Sequence, residues 1–256
     1  MISGKTLIIG SSGTIGTKLS KRLTNIRGSN NVINTYHKNK KNSKAEYIDI
    51  TKIETISEVF KNNKDITDVW NLAAPLSIDA ENDPDLSYQT TVRGMDNLLT
   101  VMTDYNTNKL CFSDSIGSFG KTAPKENVDA SWLINNPQQY PGSEYGKQKK
   151  LCRKFMNECE HIDTRFALIP GVLHSASVWS NGTTEYALEA INAYVNDVPY
   201  TCPIDKDTEL PMIWIDDLIE GLISLQFQDK SLLKEPERGY AMAGFTFTPE
   251  DLQNLL

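Results

Sequence analysis

A short apolar run at residues 6–9 ends in Gly10-Ser11-Ser12-Gly13-Thr14-Ile15-Gly16, after which Ile15, Leu19, Leu23 and Ile26 recur at helical spacing. A strand, a tight turn and an amphipathic helix in that order constrain this chain more than any other stretch of it. Gly10, Gly13 and Gly16 suit a tight turn, a close approach of backbone to a bound pyrophosphate, and close packing of helix on strand. The N-terminus of the helix then supplies N–H donors to the anion. The same glycines could merely punctuate a βα turn, so the rest of the chain has to decide.

The pattern repeats. A strand at 45–49 precedes a helix carrying Ile53, Ile56, Val59 and Phe60, and a strand at 69–73 precedes a helix at 84–104 with Val92, Met95, Leu98, Leu99 and Met102 on one face. Further strands fall at 109–113 and 164–170, separated by a helix starting at Tyr145. Strands alternating with helices give an α/β fold, a Rossmann-like doubly wound parallel sheet covered on both faces. In such sheets ligands bind at the carboxyl ends of the strands, so the loops after residues 10, 73, 115 and 171 should meet at one site. From about residue 173 the alternation weakens and prolines and glycines break the chain into short pieces. The expected organisation is a dinucleotide-binding portion at 1–172 and a mainly substrate-capping portion at 173–256, integrated in one unit.

A second strand at 31–36 should end in an acid if a carboxylate is to accept hydrogen bonds from an adenosine ribose carrying a free 2′-hydroxyl. Tyr36 stands there instead, followed by His37, Lys38, Lys40 and Lys41. That positive charge could tolerate a 2′-phosphate or could be only a solvated surface. NAD is therefore the expected cofactor, with NADP admitted. Asp49, closing the third strand, is placed either to contact adenine or to cap a helix starting near Thr51.

A length of 256 residues holds one full doubly wound unit and a small appendage. The formal net charge of −7 and sequence pI near 5.1 exclude a typical nucleic-acid binder. No apolar run approaches the ~20 residues that span a bilayer, so a cytoplasmic protein without membrane contact is expected. Cys111, Cys152, Cys159 and Cys202 lack CxxC spacing, which fits reduced thiols, and the Asn181-Gly182-Thr183 sequon is then expected to stay unglycosylated. His37, His161 and His174 have no ligand spacing with them, so no metal is expected.

Tyr145-Gly146-Lys147-Gln148-Lys149 carries the chemistry. A Tyr and a Lys four apart on a helix share a face, so the Lys149 ammonium can lie beside the Tyr145 phenol and favour its charged form, which makes the phenol usable for proton transfer. Taken alone, a Tyr and a Lys at this spacing are ordinary surface helix residues.

Four segments occur together, GSSGTIG at 10–16, NLAAPLS at 71–77, FSDSIGSFG at 112–120 and YGKQK at 145–149. In that combination the chain resembles the extended short-chain dehydrogenase/reductase family, which includes the NAD-dependent epimerases and dehydratases. NGTTEYA at 181–187, LPMIWIDD at 210–217 and FTFTP at 245–249 narrow the resemblance to epimerase-like L-threonine 3-dehydrogenases. The resemblance covers essentially the whole chain. It implies oxidation of the β-hydroxyl of L-threonine to 2-amino-3-ketobutyrate with NAD. By position, Ser115 would hydrogen-bond the reacting oxygen, Tyr145 would accept the proton, and Lys149 would hold the nicotinamide ribose. Gly10, Gly13, Thr14, Ile15, Gly16, Tyr36, Asp49, Ile50, Leu72, Ala73, Ala74, Tyr145, Lys149 and Pro170 would line the cofactor. Ser77, Ser115, Tyr145, Thr184 and Trp214 would face the substrate, although a loop serine, a helix-cap threonine and a core tryptophan are the plain alternatives for Ser77, Thr184 and Trp214. Many relatives pair the helices at 84–104 and from Tyr145 across a homodimer, while Met95, Leu99 and Phe155 could equally be core.

The chain departs from that pattern at Tyr36, at Leu168, where relatives usually carry a basic residue, and after Thr248-Pro249, where relatives continue into a further C-terminal piece. A shorter cap would open the pocket or alter its specificity. Two rival readings remain. A nucleotide-sugar epimerase or dehydratase would need positive charge past residue 170, where Lys206, Lys230, Lys234 and Arg238 stand among more numerous acids. A non-catalytic dinucleotide sensor would have no need of Ser115, Tyr145 and Lys149.

Overall fold

Seven parallel strands form the main sheet of this computed structural model, in the order β3-β2-β1-β4-β5-β6-β9. The structure describes residues 4–38, 44–175, 182–233 and 238–256, with only the backbone of Thr183. Lys40, Lys41, Asn181 and Lys234 lie outside the described residues. The strands are β1 (Lys5–Ile9), β2 (Val32–Tyr36), β3 (Glu46–Tyr47), β4 (Ile66–Asn71), β5 (Lys109–Ser115), β6 (Asp163–Ile169) and β9 (Gly239–Ala241). A second, three-stranded sheet runs β10-β8-β7, from β7 (Gly171–Leu173), β8 (Leu210–Trp214) and β10 (Phe245–Phe247). The helices are α1 (Thr14–Arg27), α2 (Ile53–Asn62), α3 (Ser77–Asn82), α4 (Pro84–Tyr88), α5 (Gly94–Asp104), α6 (Ala130–Asn135), α7 (Glu144–Glu158), α8 (Tyr186–Val195), α9 (Ile215–Phe227) and α10 (Pro249–Leu255).

The two-residue period of a strand sorts the core into two layers. Leu7, Ile9, Val69, Leu110, Phe112, Phe166 and Leu168 face one side and pack with Ile56, Phe60, Leu98, Met102 and Met156 from α2, α5 and α7. Ile8, Trp70, Cys111, Ala167 and Ile169 face the other and pack with Leu19, Leu23, Leu218 and Leu222 from α1 and α9. A sheet covered on both faces is what the near-continuous apolar strands demand. Between β1 and β4 the strand order reverses, opening the crevice where such sheets bind ligands.

Three local expectations need correction. The helix at 84–104 is α4 and α5 joined by a π-helical turn over Gln89–Arg93. The third strand stops at Tyr47, before Asp49. Asp49 does not cap α2, whose N-cap is Lys52; instead its Oδ1 accepts from the Thr51 N–H at 3.1 Å and the Thr51 hydroxyl at 2.7 Å. Past residue 173 the chain does more than cover a pocket. α9 packs on the main sheet and β9 extends it beside β6. Tyr186, Ala187, Met212 and Leu252 form a separate small cluster in the remainder. Met95 and Leu99 are buried in the core and Phe155 packs partly buried against it, while Leu86 of α4 and Leu151 of α7 are exposed. No helix among the described residues is long and apolar enough to cross a membrane.

Candidate active site

The turn after β1 is built for an anion. Gly10 holds φ +85°, a backbone conformation that L side chains rarely adopt, and a Cβ on it would come within 3.0 Å of the Leu72 carbonyl carbon. A Cβ on Gly16 would stand 2.2 Å from the Gly10 oxygen, so the first turn of α1 closes directly onto the loop. Gly13 differs, because a Cβ there would meet nothing nearer than the Gly10 oxygen at 3.5 Å. Its missing side chain leaves open space above the start of α1. Gly13 is the N-cap and offers no side chain to the first-turn N–H groups of Thr14, Ile15 and Gly16, and no acid stands in that turn. Ser11 ties the loop to β2, its hydroxyl donating to Thr35 O at 2.8 Å and accepting from Thr35 N at 2.9 Å. These features fit the pyrophosphate of a dinucleotide.

Beside this loop a cavity of ≈ 210 Å³ is walled by Gly10, Tyr36, His37, Asp49, Ile50 and Ala73, among others. Tyr36 closes β2 and meets the Tyr47 ring edge-on, with centroids 5.6 Å apart. Burial pushes the Asp49 carboxyl up, but the Thr51 hydroxyl and amide, Lys52 and His37 outweigh it and hold the group below the ordinary carboxylate range. Its Oδ2 lies 3.6 Å from His37 Nε2 and 3.4 Å from Lys52 Nζ. The loop is pinned from α5, where Asn97 donates to Ile50 O at 3.1 Å. Leu72 follows β4 and donates to Ile9 O at 3.0 Å, and Ala73 and Ala74 continue the wall.

The residues expected to carry the chemistry stand at the other end of the crevice. Ser115 ends β5 and registers with Ile169 of β6, which leads into buried Pro170. A Cβ on Gly117 would touch both the Tyr145 ring at 3.4 Å and Ser115 Oγ at 3.5 Å, which brings hydroxyl and phenol side chains to one point. Ser115 Oγ accepts from the Gly117 N–H at 3.1 Å, so its own proton is directed elsewhere. Lys149 is 1% exposed, donates to Ser113 O at 2.5 Å, and holds its ammonium 5.2 Å from the Tyr145 ring centre and 4.5 Å from that of Phe112. Two contacts fix the start of α7: Ser143 Oγ accepts from the Gly146 N–H at 3.1 Å, and Glu81 of α3 accepts from the Glu144 N–H at 2.6 Å.

Ser77 opens α3, half-buried, on the helix that packs against α7. Thr184 lies against Gly171, where a Cβ would come 2.9 Å from the threonine Cβ, just beyond Pro170. Trp214 ends β8 opposite Leu173 and is 39% exposed, so it is no core tryptophan, and its Nε1 donates to Asp216 at 3.2 Å. The expected basic residue at 168 is absent, and Leu168 is fully buried in the sheet beside Asp114.

Sequence reasoning missed Asp114 and Arg153. Arg153 reaches the buried Asp114 carboxylate from α7, while Asp114 Oδ1 accepts from the Ser115 N–H and the Ser118 hydroxyl. An acid inside an otherwise buried strand, matched by a base on the inward face of the Tyr145 helix, was the available signal. Burial drives the Cys111 and Cys152 thiols up to about 12, which leaves them chemically quiet. Among the described residues no group of His, Cys, Asp and Glu is arranged to hold a metal.

The sequence profile of the NAD dependent epimerase/dehydratase family matches residues 6–225. An uncharacterized epimerase/dehydratase of Staphylococcus aureus is 32% identical over 96% of this chain and 77% of its own length. A solved partial-consensus L-threonine 3-dehydrogenase superposes with a TM-score of 0.86 at 28% identity, covering 96% of this chain and 79% of that one. A monomeric L-threonine 3-dehydrogenase from a metagenome superposes at 0.84 with 30% identity, covering 97% and 80%. A GalE-like L-threonine dehydrogenase from Cupriavidus necator, in its holo form, does so at 0.84 with 27% identity, covering 96% and 80%.

Proposed function

Since the chain belongs to the NAD dependent epimerase/dehydratase family, we propose that it is an oxidoreductase acting on the β-hydroxyl of L-threonine or a similar small β-hydroxy acid. The product from threonine is 2-amino-3-ketobutyrate. The observation that carries the reading is the convergence of Ser115 Oγ and the Tyr145 ring on Gly117, with the Lys149 ammonium under the ring. The first turn of α1 and its glycines would hold the pyrophosphate, Tyr36, Asp49 and Ile50 the adenosine, and Leu72, Ala73, Ala74, Lys149 and Pro170 the remainder. A bound nicotinamide supplies the hydride acceptor.

The roles of the side chains follow from their partners. Ser115 donates its hydroxyl proton to the substrate oxygen, while one of its two lone pairs takes the Gly117 N–H. Tyr145 takes the hydroxyl proton, with the Lys149 ammonium 5.2 Å from the centre of its ring. Both act by position and electrostatics on a substrate that Ser77, Thr184 and Trp214 would enclose. A small amino acid suits the cap better than a nucleotide sugar, since the few cations past residue 170 stand among more numerous acids.

The test is reduced-nicotinamide formation from L-threonine, with NAD and NADP in parallel and Tyr145→Phe as control. Threonine-dependent reduction that the variant loses by roughly a hundredfold or more supports the reading. Dinucleotide binding without threonine turnover overturns the threonine substrate, and turnover of a nucleotide sugar would replace it with the epimerase reading.

A further inference from the structure

We propose that Asp114 and Arg153 are positioning residues, a buried pair that fixes the Ser115 turn against α7 and so sets the distance between the serine and tyrosine hydroxyls. The inference rests on the hydride-transfer reading of Ser115 and Tyr145. Tyr145, Lys149 and Arg153 follow one another at four-residue steps along α7, so they share the face turned to the sheet. The side chain of Arg153 is 8% exposed and that of Asp114 is 0% exposed.

Each oxygen of Asp114 has a separate task. Oδ2 takes the Arg153 guanidinium. Oδ1 accepts from the Ser115 N–H at 2.8 Å and from Ser118 Oγ at 2.6 Å, which holds both ends of the turn. The contacts then lead back to the helix. Ser118 O accepts from Gln139 Nε2 at 2.9 Å, and Gln139 O accepts from Lys150 Nζ at 2.6 Å. This circuit leaves α7 at Arg153 and returns to it at Lys150, with Ser115 inside. Lys149 adds a further tie, through Ser113 O.

Energy alone does not account for the pair. The desolvation of two buried charges offsets most of their attraction, and an apolar pair of similar volume is often as stable. The directional contacts are what an apolar pair could not reproduce. Asp114 also registers opposite Leu168, so the cation beside it comes from the helix that bears Tyr145 and not from the neighbouring strand. Any shift of α7 is thereby transmitted to the Ser115 turn.

The experiment compares the full chain with Asp114→Ala, Asp114→Asn, Arg153→Met and the double variant Arg153→Met/Asp114→Asn. Each is assayed for kcat, KM, dinucleotide affinity by fluorescence, and hydrogen exchange of the amides at 115–118. Asp114→Ala and Arg153→Met are expected to lose roughly tenfold to a hundredfold in kcat, the scale of a small misplacement of reacting groups. Dinucleotide affinity stays unchanged and exchange at 115–118 speeds up. Asp114→Asn keeps an acceptor for Ser115 and Ser118 but offers none to Arg153, so it loses the tie to α7 and is expected to lose kcat as Arg153→Met does. Should a single variant fail to fold, the double variant, which buries no lone charge, carries the same expectation relative to the wild-type chain. An unchanged kcat in folded Asp114→Ala overturns the proposal, as does a parallel fall of kcat and dinucleotide affinity. If the wild-type chain oxidises no β-hydroxy acid, the hydride-transfer reading fails separately. Exchange then decides on the clamp, faster exchange supporting it and unchanged exchange overturning it.

Discussion

A Cβ on Gly146 would stand 2.0 Å from the Gly117 oxygen, whereas a Cβ on Gly142 would meet nothing within 4 Å. Two glycines four residues apart therefore carry opposite expectations. Gly146→Ala must push α7 away from the Ser115 turn, an overpacking that costs about 1–3 kcal/mol. For a chain of this size that is a fall in Tm of roughly two to ten degrees, together with a marked loss of turnover. Gly142→Ala should leave both unchanged, and equal effects from the two would refute the steric argument. Tyr36 supports a second expectation, because it lines the cavity beside the Gly10 turn, where in the proposed reading a carboxylate would accept ribose hydroxyls. Tyr36→Asp should strengthen NAD binding and weaken NADP binding, shifting the ratio of their affinities by roughly tenfold or more. Fluorescence titration with both dinucleotides checks it, and an unmoved ratio would mean that position 36 does not face the ribose. Tyr145 and Lys149 were legible from their four-residue spacing, and Ser115 from the resemblance of the segment at 112–120. Asp114 and Arg153 were not, since their partnership spans 39 positions, and neither was the Glu81–Glu144 contact, which spans 63.

Among the elements, the apolar strands and the facing helices followed from periodicity, and their cores match it, as with Ile56, Val59 and Phe60 of α2. The failures share a cause. β3 is two residues long and pairs only through Thr35 and Tyr36, too short for any alternation to register. The π turn at Gln89–Arg93 adds one residue to a helix whose apolar spacing still looks regular, and Thr91 and Val92 stay buried across it. Inside that helix the Thr91 carbonyl takes the Cys152 thiol at 3.3 Å, so part of what joins the helix to α7 is a local irregularity. Gly94 follows at once, where a Cβ would stand 2.8 Å from Ile50, and this lets α5 approach the loop that lines the cavity beside Gly10. The irregular turn and the glycine together aim one helix at both ends of the crevice.

On the scale of the whole chain, the boundary expected near residue 172 separates sequence patterns more than structure. Arg165 of β6 is fully buried, donates to the carbonyls of Leu225, Gln226 and Gln228 at the end of α9, and pairs with Asp163. The first portion thus caps a helix of the second, and a truncation at 172 would leave that guanidinium with Asp163 alone. His174 sits just past the crossing point, buried after β7, with Lys18 of α1 and Glu185 as its charged neighbours. Burial first, and Lys18 in addition, lower its pKa from 6.5, against the opposing pull of Glu185. The folded chain therefore binds this proton less readily than the unfolded chain does. Its contribution to stability is present in full above 6.5 and is lost as the pH falls through that value towards the depressed one. Thermal melts between neutral and mildly acid pH should show the wild-type Tm falling more steeply than that of His174→Gln, whose amide cannot take the charge. Parallel slopes would place the linkage on other groups and leave His174 as a neutral packing residue between α1 and the cap.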